Sequence, residues 1–195
     1  DNGVYIASIN NADINLKKIN DFLNLKLNGN FLNDNILVIW ETKLKNTEPF
    51  TEFKLKMKDI NLLVKASFFN TNKENLNIKN GNISIKKKKN KLTAVFDYKD
   101  KEFLITKANV RNFFLEGKLV GKIRLRPYTN FNLDLELNSI NFTKLYTYFL
   151  SQTEEDQKNI FRISDKINGQ LNFSSNRIYS NFNLIKSFES RLNFN

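Results

Sequence analysis

The sequence predicts a mainly β protein, a long antiparallel meander, and three observations carry that expectation. Stretch after stretch sets an apolar residue at every second position with Lys, Asn, Asp or Glu between. The clearest are Phe53-Lys54-Leu55-Lys56-Met57, Leu115–Leu125 and Phe131-Asn132-Leu133-Asp134-Leu135-Glu136-Leu137. Strand side chains point alternately to opposite faces, so a period of two gathers the apolar set on one side and the charges on the other. The separators carry turn chemistry, as in Asn33-Asp34-Asn35, Asn70-Thr71-Asn72 and Tyr98-Lys99-Asp100-Lys101, which is what successive hairpins require. Helical periodicity is scarce.

In order along the chain, Val4–Ile9 reads as a strand. Leu16–Leu23 reads as a short helix with Leu16, Ile19, Phe22 and Leu23 on one face and Asn15 at its N-cap. Strands follow at 25–32, 36–44, 53–60, 62–69, 76–86, 92–98, 103–111, 113–126 and 131–140. Phe142–Leu150 is a second helix, with Phe142, Leu145, Tyr146 and Phe149 on one face, and the acidic run 153–158 is suited to starting another helical turn. Strands resume at 166–173, 178–185 and 188–194. The order of strand, short helix and Asn-Gly strand thus occurs twice, around Asn28-Gly29 and Asn168-Gly169, and suggests a repeated unit.

At 195 residues with 41% hydrophobic content the chain is large enough for one domain with a core, and 1–195 reads as a single segment. It has no Cys and no His, which removes disulfides, thiolate nucleophiles, His bases and the usual zinc sites. No apolar run approaches the roughly 20 residues a membrane-spanning helix needs. The chain begins at Asp1 without Met or a leader pattern and stops inside a strand-like run, which reads as a piece of a longer protein. The net charge of +11 raises anionic partners. A composition rich in Asn, Lys, Ile and Phe, all written with A- and T-rich codons, accounts for it more simply.

Little in the chain points to chemistry. Glu154 and Glu155 are adjacent and so do not face each other on a helix. Asp134 and Glu136 share the polar side of one strand and read as outward residues. Gly29 and Gly81 follow Asn and read as turn glycines, whereas Gly117 and Gly121, within a strand, read as sites of bulging or curvature. Lys86–Lys91 is the densest basic stretch but lacks interleaved aromatics, so it reads as a solvated hairpin tip and no nucleic-acid partner is expected. Trp40 and the Phe residues follow the alternation. Phe68-Phe69 and Phe113-Phe114 break it, so one member of each pair must lie on the polar face or at a bulge.

The stretch Phe103–Val110, Gly117-Lys118-Leu119-Val120-Gly121-Lys122-Ile123, Leu125-Arg126-Pro127-Tyr128, Phe131–Asn141 and Lys144-Leu145 resembles the C-terminal region of the AsmA-like family of bacterial envelope proteins, which includes TamB and YhdP. The resemblance implies a strongly curved, taco-like sheet whose apolar interior shelters phospholipid acyl chains on their way between inner and outer membrane. It also implies a periplasmic location, tethered to the inner membrane by a segment outside this chain, and other envelope proteins as further partners. It implies no cofactor and no catalysis.

On this reading the lipid-facing set is Phe53, Leu55, Met57, Leu62, Val64, Leu92, Phe96, Leu115, Leu119, Ile123, Leu125, Phe131, Leu133, Leu135 and Leu137, chosen for their shared parity along successive strands. The alternative is a closed β-sandwich serving as a structural or protein-binding module of the envelope, since a dry core and a lipid groove need the same alternation. An enzyme is not expected, because no base, nucleophile and orienting group converge.

Overall fold

The structure, a computed structural model, describes residues 8–19, 22–70, 77–125, 129–151, 167–181 and 187–194. The chain divides into two compact units, residues 1–89 and 90–195. It is mainly β, as the alternation predicts.

The N-terminal unit consists of β1 (Ile9–Ile19), β2 (Phe22–Phe31), β3 (Asp34–Lys45), β4 (Glu48–Met57), β5 (Leu62–Asn70) and β6 (Ile78–Lys87). Each strand pairs antiparallel with the next. The tight links Leu32-Asn33 and Asn46-Thr47 hold all four residues at positive φ, between 51° and 67°. That is the type I′ geometry whose twist matches a hairpin, reached here without glycine.

The turn after β4 is fastened from a distance. Asp34, 3% exposed, accepts hydrogen bonds from the Asp59 amide at 2.9 Å and the Ile60 amide at 3.2 Å. Burial pushes the Asp34 carboxyl up, but the amides of Asp59, Ile60 and Lys58 outweigh it and hold the group below its ordinary value.

Leu16–Leu23 is not a helix. It spans the end of β1 and the start of β2, with Leu16 opposite Leu25, Lys18 opposite Leu23 and Ile19 opposite Phe22. Two strand ends flanking residues 20–21 mimic helical spacing, and a helix so short has too few hydrogen bonds to compete with a paired hairpin. The repeat therefore fails at its first copy. Gly29 and Gly81 lie inside β2 and β6 rather than in turns. Gly29 is instead a point of close approach, since a Cβ there would come within 2.7 Å of Ile9 Cγ2.

The C-terminal unit comprises β7 (Asn90–Lys99), β8 (Glu102–Arg111), β9 (Leu115–Arg124), β10 (Thr129–Asn141), α1 (Phe142–Leu150), β11 (Ile167–Ser175), β12 (Ile178–Tyr179) and β13 (Phe188–Phe194). Strands β7 to β10 continue as an antiparallel meander. The pattern then changes, because β11 lies parallel to β10, from Thr129 opposite Ile167 to Leu137 opposite Ser175. β12 extends that line beside Ile140 and Asn141, and β13 pairs antiparallel with β11. A parallel neighbour needs a crossover, and α1 begins it.

Helix α1 starts where expected. The Asn141 side chain accepts from the Lys144 amide at 2.9 Å, making Asn141 the N-cap. Its expected face is partly wrong: Tyr146 is 65% exposed, and Tyr148 is the residue that meets the rings of Phe113 and Phe114, at 5.6 and 5.9 Å. It is the one helix among the described residues, against an expectation of two or three. The acidic run 153–158, the strand expected at Val4–Ile9 up to Ala7, and residues 182–185 of the strand expected at 178–185 lie outside the described residues.

Bulges explain how imperfect alternation still yields one-sided strands. Apart from Leu104, which opposes Lys122 on the outer face, the apolar residues of β8 are Phe103 and Ile105, then Ala108 and Val110, a change of parity that would send half of these four to the wrong face. The register slips between Ile105, opposite Gly121, and Ala108, opposite Leu119, so one extra residue is absorbed and all four share a face. The same correction occurs between Leu137 and Ile140 in β10, Ile78 and Ile83 in β6, and Ile9 and Ile14 in β1. Gly121 faces the β8 bulge at φ 136°, where a Cβ would run into the Asn132 carbonyl oxygen.

Candidate functional site: an apolar face in each unit

Directly opposed residues of neighbouring strands share a face, so the registers assemble rows. In the N-terminal unit one row is Leu16, Leu25, Trp40, Phe53, Ala66 and Ile83. The next is Ile14, Leu27, Val38, Leu55, Val64 and Ile85. A third runs Gly29, Ile36, Met57, Leu62 and ends in Lys87. Phe53, Leu55, Met57, Leu62 and Val64 thus fall together as their parity suggests.

Trp40 sits edge-on to Phe53 and Phe68, with ring centroids 6.1 and 5.9 Å apart. Beyond them the Thr42 and Thr51 hydroxyls share a 3.0 Å hydrogen bond. The face is poorly covered. Ile36 and Met57 are buried, but Phe53, Leu55, Leu62 and Val64 are only half-buried, and Ile14, Leu16 and Trp40 are exposed.

The C-terminal unit repeats the arrangement with its own rows. Ala94, Ala108, Leu119, Leu135, Phe173 and Ser190 form one. Phe96, Ile105, Gly121, Leu133, Leu171 and Leu192 form the second. Tyr98, Phe103, Ile123, Phe131, Gly169 and Phe194 form the third. A fourth, Leu92, Val110, Gly117, Leu137, Ser175 and Phe188, lies nearest α1, whose Phe142 ring is 5.9 Å from that of Phe188.

Leu119 and Leu133 are therefore on one face. Phe96 and Leu137 are buried; Leu92, Leu115, Leu119, Ile123, Phe131, Leu133 and Leu135 are half-buried; Leu125, just past the end of β9, is 53% exposed. α1 has no buried residue, and the ring contact that ties it to these rows, Phe142 with Phe188, is at their Leu137 end.

The register also brings in residues that parity reading passed over, among them Leu27, Val38, Ile85, Val110, Leu171 and Phe173. Val38 and its neighbours sit in the run Ile36-Leu37-Val38-Ile39-Trp40, which is apolar throughout and hides which residues face inward. Only the partner strand resolves it: Val38 opposes Leu55, while Ile39 opposes Lys54 on the other side.

The remaining candidates fall on outward surfaces. Phe69 opposes Phe50 on the polar face, 4.8 Å between rings, while Phe68 stays with Trp40, so that pair splits as expected. Asp134 and Glu136 are exposed, and Asp134 accepts from the Asn172 side-chain amide at 2.6 Å. No group of acids that could hold a metal ion occurs among the described residues. Lys88 and Lys89 form a turn, and Lys86–Lys91 are all exposed. Glu154 and Glu155 lie outside the described residues.

No helix among the described residues is long and apolar enough to cross a membrane. Comparison with protein-family models, with curated proteins and with solved structures found no match, so the candidate function rests on the apolar faces themselves.

Proposed function

We propose that this chain is a lipid-binding segment of a bacterial envelope protein, sheltering phospholipid acyl chains on its apolar sheet faces during transport between inner and outer membrane. In this reading it is non-catalytic, periplasmic, and held at the inner membrane by a segment outside the chain. The observation that carries it is the set of apolar rows, in register across each unit, whose members are mostly half-buried or exposed. Each such Leu or Phe that a hydrocarbon chain withdraws from water adds of order 1 kcal/mol, so an acyl chain lying along a row is a strong ligand. Apolar surface of that extent is rarely left to water. The resemblance in the middle of the chain points the same way.

The test is a native mass spectrum and lipid extraction of the purified chain, compared with Leu133→Asp and Leu55→Asp. Wild type is expected to carry phospholipid, and each variant that keeps its β circular dichroism to retain at least about ten-fold less, because a carboxylate beside hydrocarbon is poorly solvated. Lys118→Glu, on the opposite face of β9, leaves lipid content unchanged. A wild-type protein free of lipid, or folded variants that bind as well as wild type, would replace this reading with a structural or protein-binding module built on open sheet, since the strand order does not close into the sandwich that the alternation also allowed.

A further inference from the structure

The outward side of the N-terminal unit is not a uniformly solvated polar face. Two adjacent rows across β2 to β6 read Lys26, Ile39, Lys54, Lys65, Ser84 and Asn28, Leu37, Lys56, Leu63, Lys86. Lys54 and Lys65 are directly opposite each other, a like-charge pairing that costs stability in a sheet. Lys56 and Lys86 flank Leu63. None of these five lysines has an ion-pair partner among the described residues. The acids of the next row, Glu41 and Glu52, serve Lys43 instead: the Glu52 carboxylate accepts from Lys43 Nζ at 2.7 Å, and this bond, with the charges of Glu52 and Glu41, raises the Lys43 pKa.

We infer that this face of the N-terminal unit docks on the surface of an anionic lipid bilayer. Charge complementarity argues for the occupant. A block of unneutralised lysines is set around half-buried Leu37, Ile39 and Leu63, so ammonium groups can meet headgroup phosphates while the aliphatic side chains and lysine stems meet the interface. Single-stranded nucleic acid fits less well, because it needs aromatic platforms within the basic groove. The rings of Phe50 and Phe69 on this face are packed on each other at 4.8 Å and lie beyond the Glu41–Glu52 row, which would repel a phosphate backbone crossing to reach them. The docking face is the reverse of the sheet from the apolar rows, so the inference stands apart from the acyl-chain reading.

The experiment is co-flotation of the whole chain with vesicles of phosphatidylglycerol and phosphatidylcholine, against vesicles of phosphatidylcholine alone, at low and physiological salt. Binding to the anionic vesicles is expected, weakening as salt rises. The double variant Lys54→Gln/Lys65→Gln is expected to lose about 30-fold in affinity, about five-fold per lysine. Its bound-lipid content in a native mass spectrum stays at the wild-type level, which separates failure here from failure of the acyl-chain reading. Lys107→Gln/Lys118→Gln removes the same charge from the C-terminal unit and is expected to bind like wild type. Equal losses in both double variants would mean that net charge alone drives binding, and would overturn the inference. So would binding of a single-stranded oligonucleotide tighter than that of anionic vesicles and abolished by Lys54→Gln/Lys65→Gln, or no preference for the anionic vesicles at all.

Discussion

The two units use the same alternation and differ in how deeply they bury it. In the N-terminal unit, where every pairing is between consecutive strands, the best-buried apolar residues are Ile78, Ile36, Phe68 and Met57, at 4%, 6%, 6% and 9% exposure. In the C-terminal unit Ala108, Leu137 and Ile140 fall to 1%, 1% and 2%, and Ser175 to 1%. Ala108 lies in the meander itself, between Ala94 and Leu119, but for Leu137, Ile140 and Ser175 the difference follows from the parallel crossover. β11 and β12 lay a further strand along the full length of β10, with the Arg177 carbonyl accepting from the Ile140 amide at 3.0 Å. Leu137 gains small neighbours on both sides, Gly117 and Ser175, which let the backbones close around it. A meander of hairpins alone builds a face; a crossover at its end builds a point of core.

That contrast is open to breaking. Leu137→Ala should cost about 3 kcal/mol, as expected where a fully enclosed leucine is cut back, whereas Leu55→Ala on the half-open face of the N-terminal unit should cost about 1 kcal/mol. Urea denaturation of the two variants measures both, and equal costs would show that burial in the two units is alike.

The next effect sharpens the comparison from the N-terminal side. Asp34 has its folded pKa held below 3.8. The stability it contributes is therefore fully present above that value and drains away as the pH falls through the lower folded value. Thermal melts between pH 6 and pH 2 should show this acid loss in wild type and a weaker one in Asp34→Asn. An unchanged pH profile would remove Asp34 as the fastening of the β4–β5 turn.

The smallest expected change is a gain. Thr47 is β-branched and sits at φ 67°, so Thr47→Gly should stabilise the hairpin by about 1 kcal/mol through release of left-handed strain. A loss would mean that the glycine's extra freedom in the unfolded chain outweighs that relief.

Much of the fold was legible because a period of two is a strong signal when it persists, as from Phe131 to Leu137 and at Phe188–Phe194. Boundaries were less so. β4 begins at Glu48 rather than Phe53 and includes Pro49, which sits beyond the last β5 partner of β4, Phe69 opposite Phe50. The false helix at Leu16–Leu23 and the misplaced turns at Gly29 and Gly81 share one cause. Local spacing and Asn-Gly pairs look the same whether the chain turns or bulges, and only the partner strand decides. The parity of the lipid-facing set was readable strand by strand. The basic block around Leu37 and Leu63 was not, because its lysines come from four strands and meet only through register.

The consecutive pairing of β1 to β6 also bears on how the protein is made. Every ladder in the N-terminal unit joins neighbours in the chain, so each new strand can zip onto the last as soon as both have left the ribosome, with short loop closures and little waiting. The C-terminal unit cannot finish that way. β11 must return to lie beside β10 after a crossover through residues 142–166, and until it does one edge of β10 stays unpaired. That edge is the slowest surface to be completed and the one most in need of protection in a nascent chain.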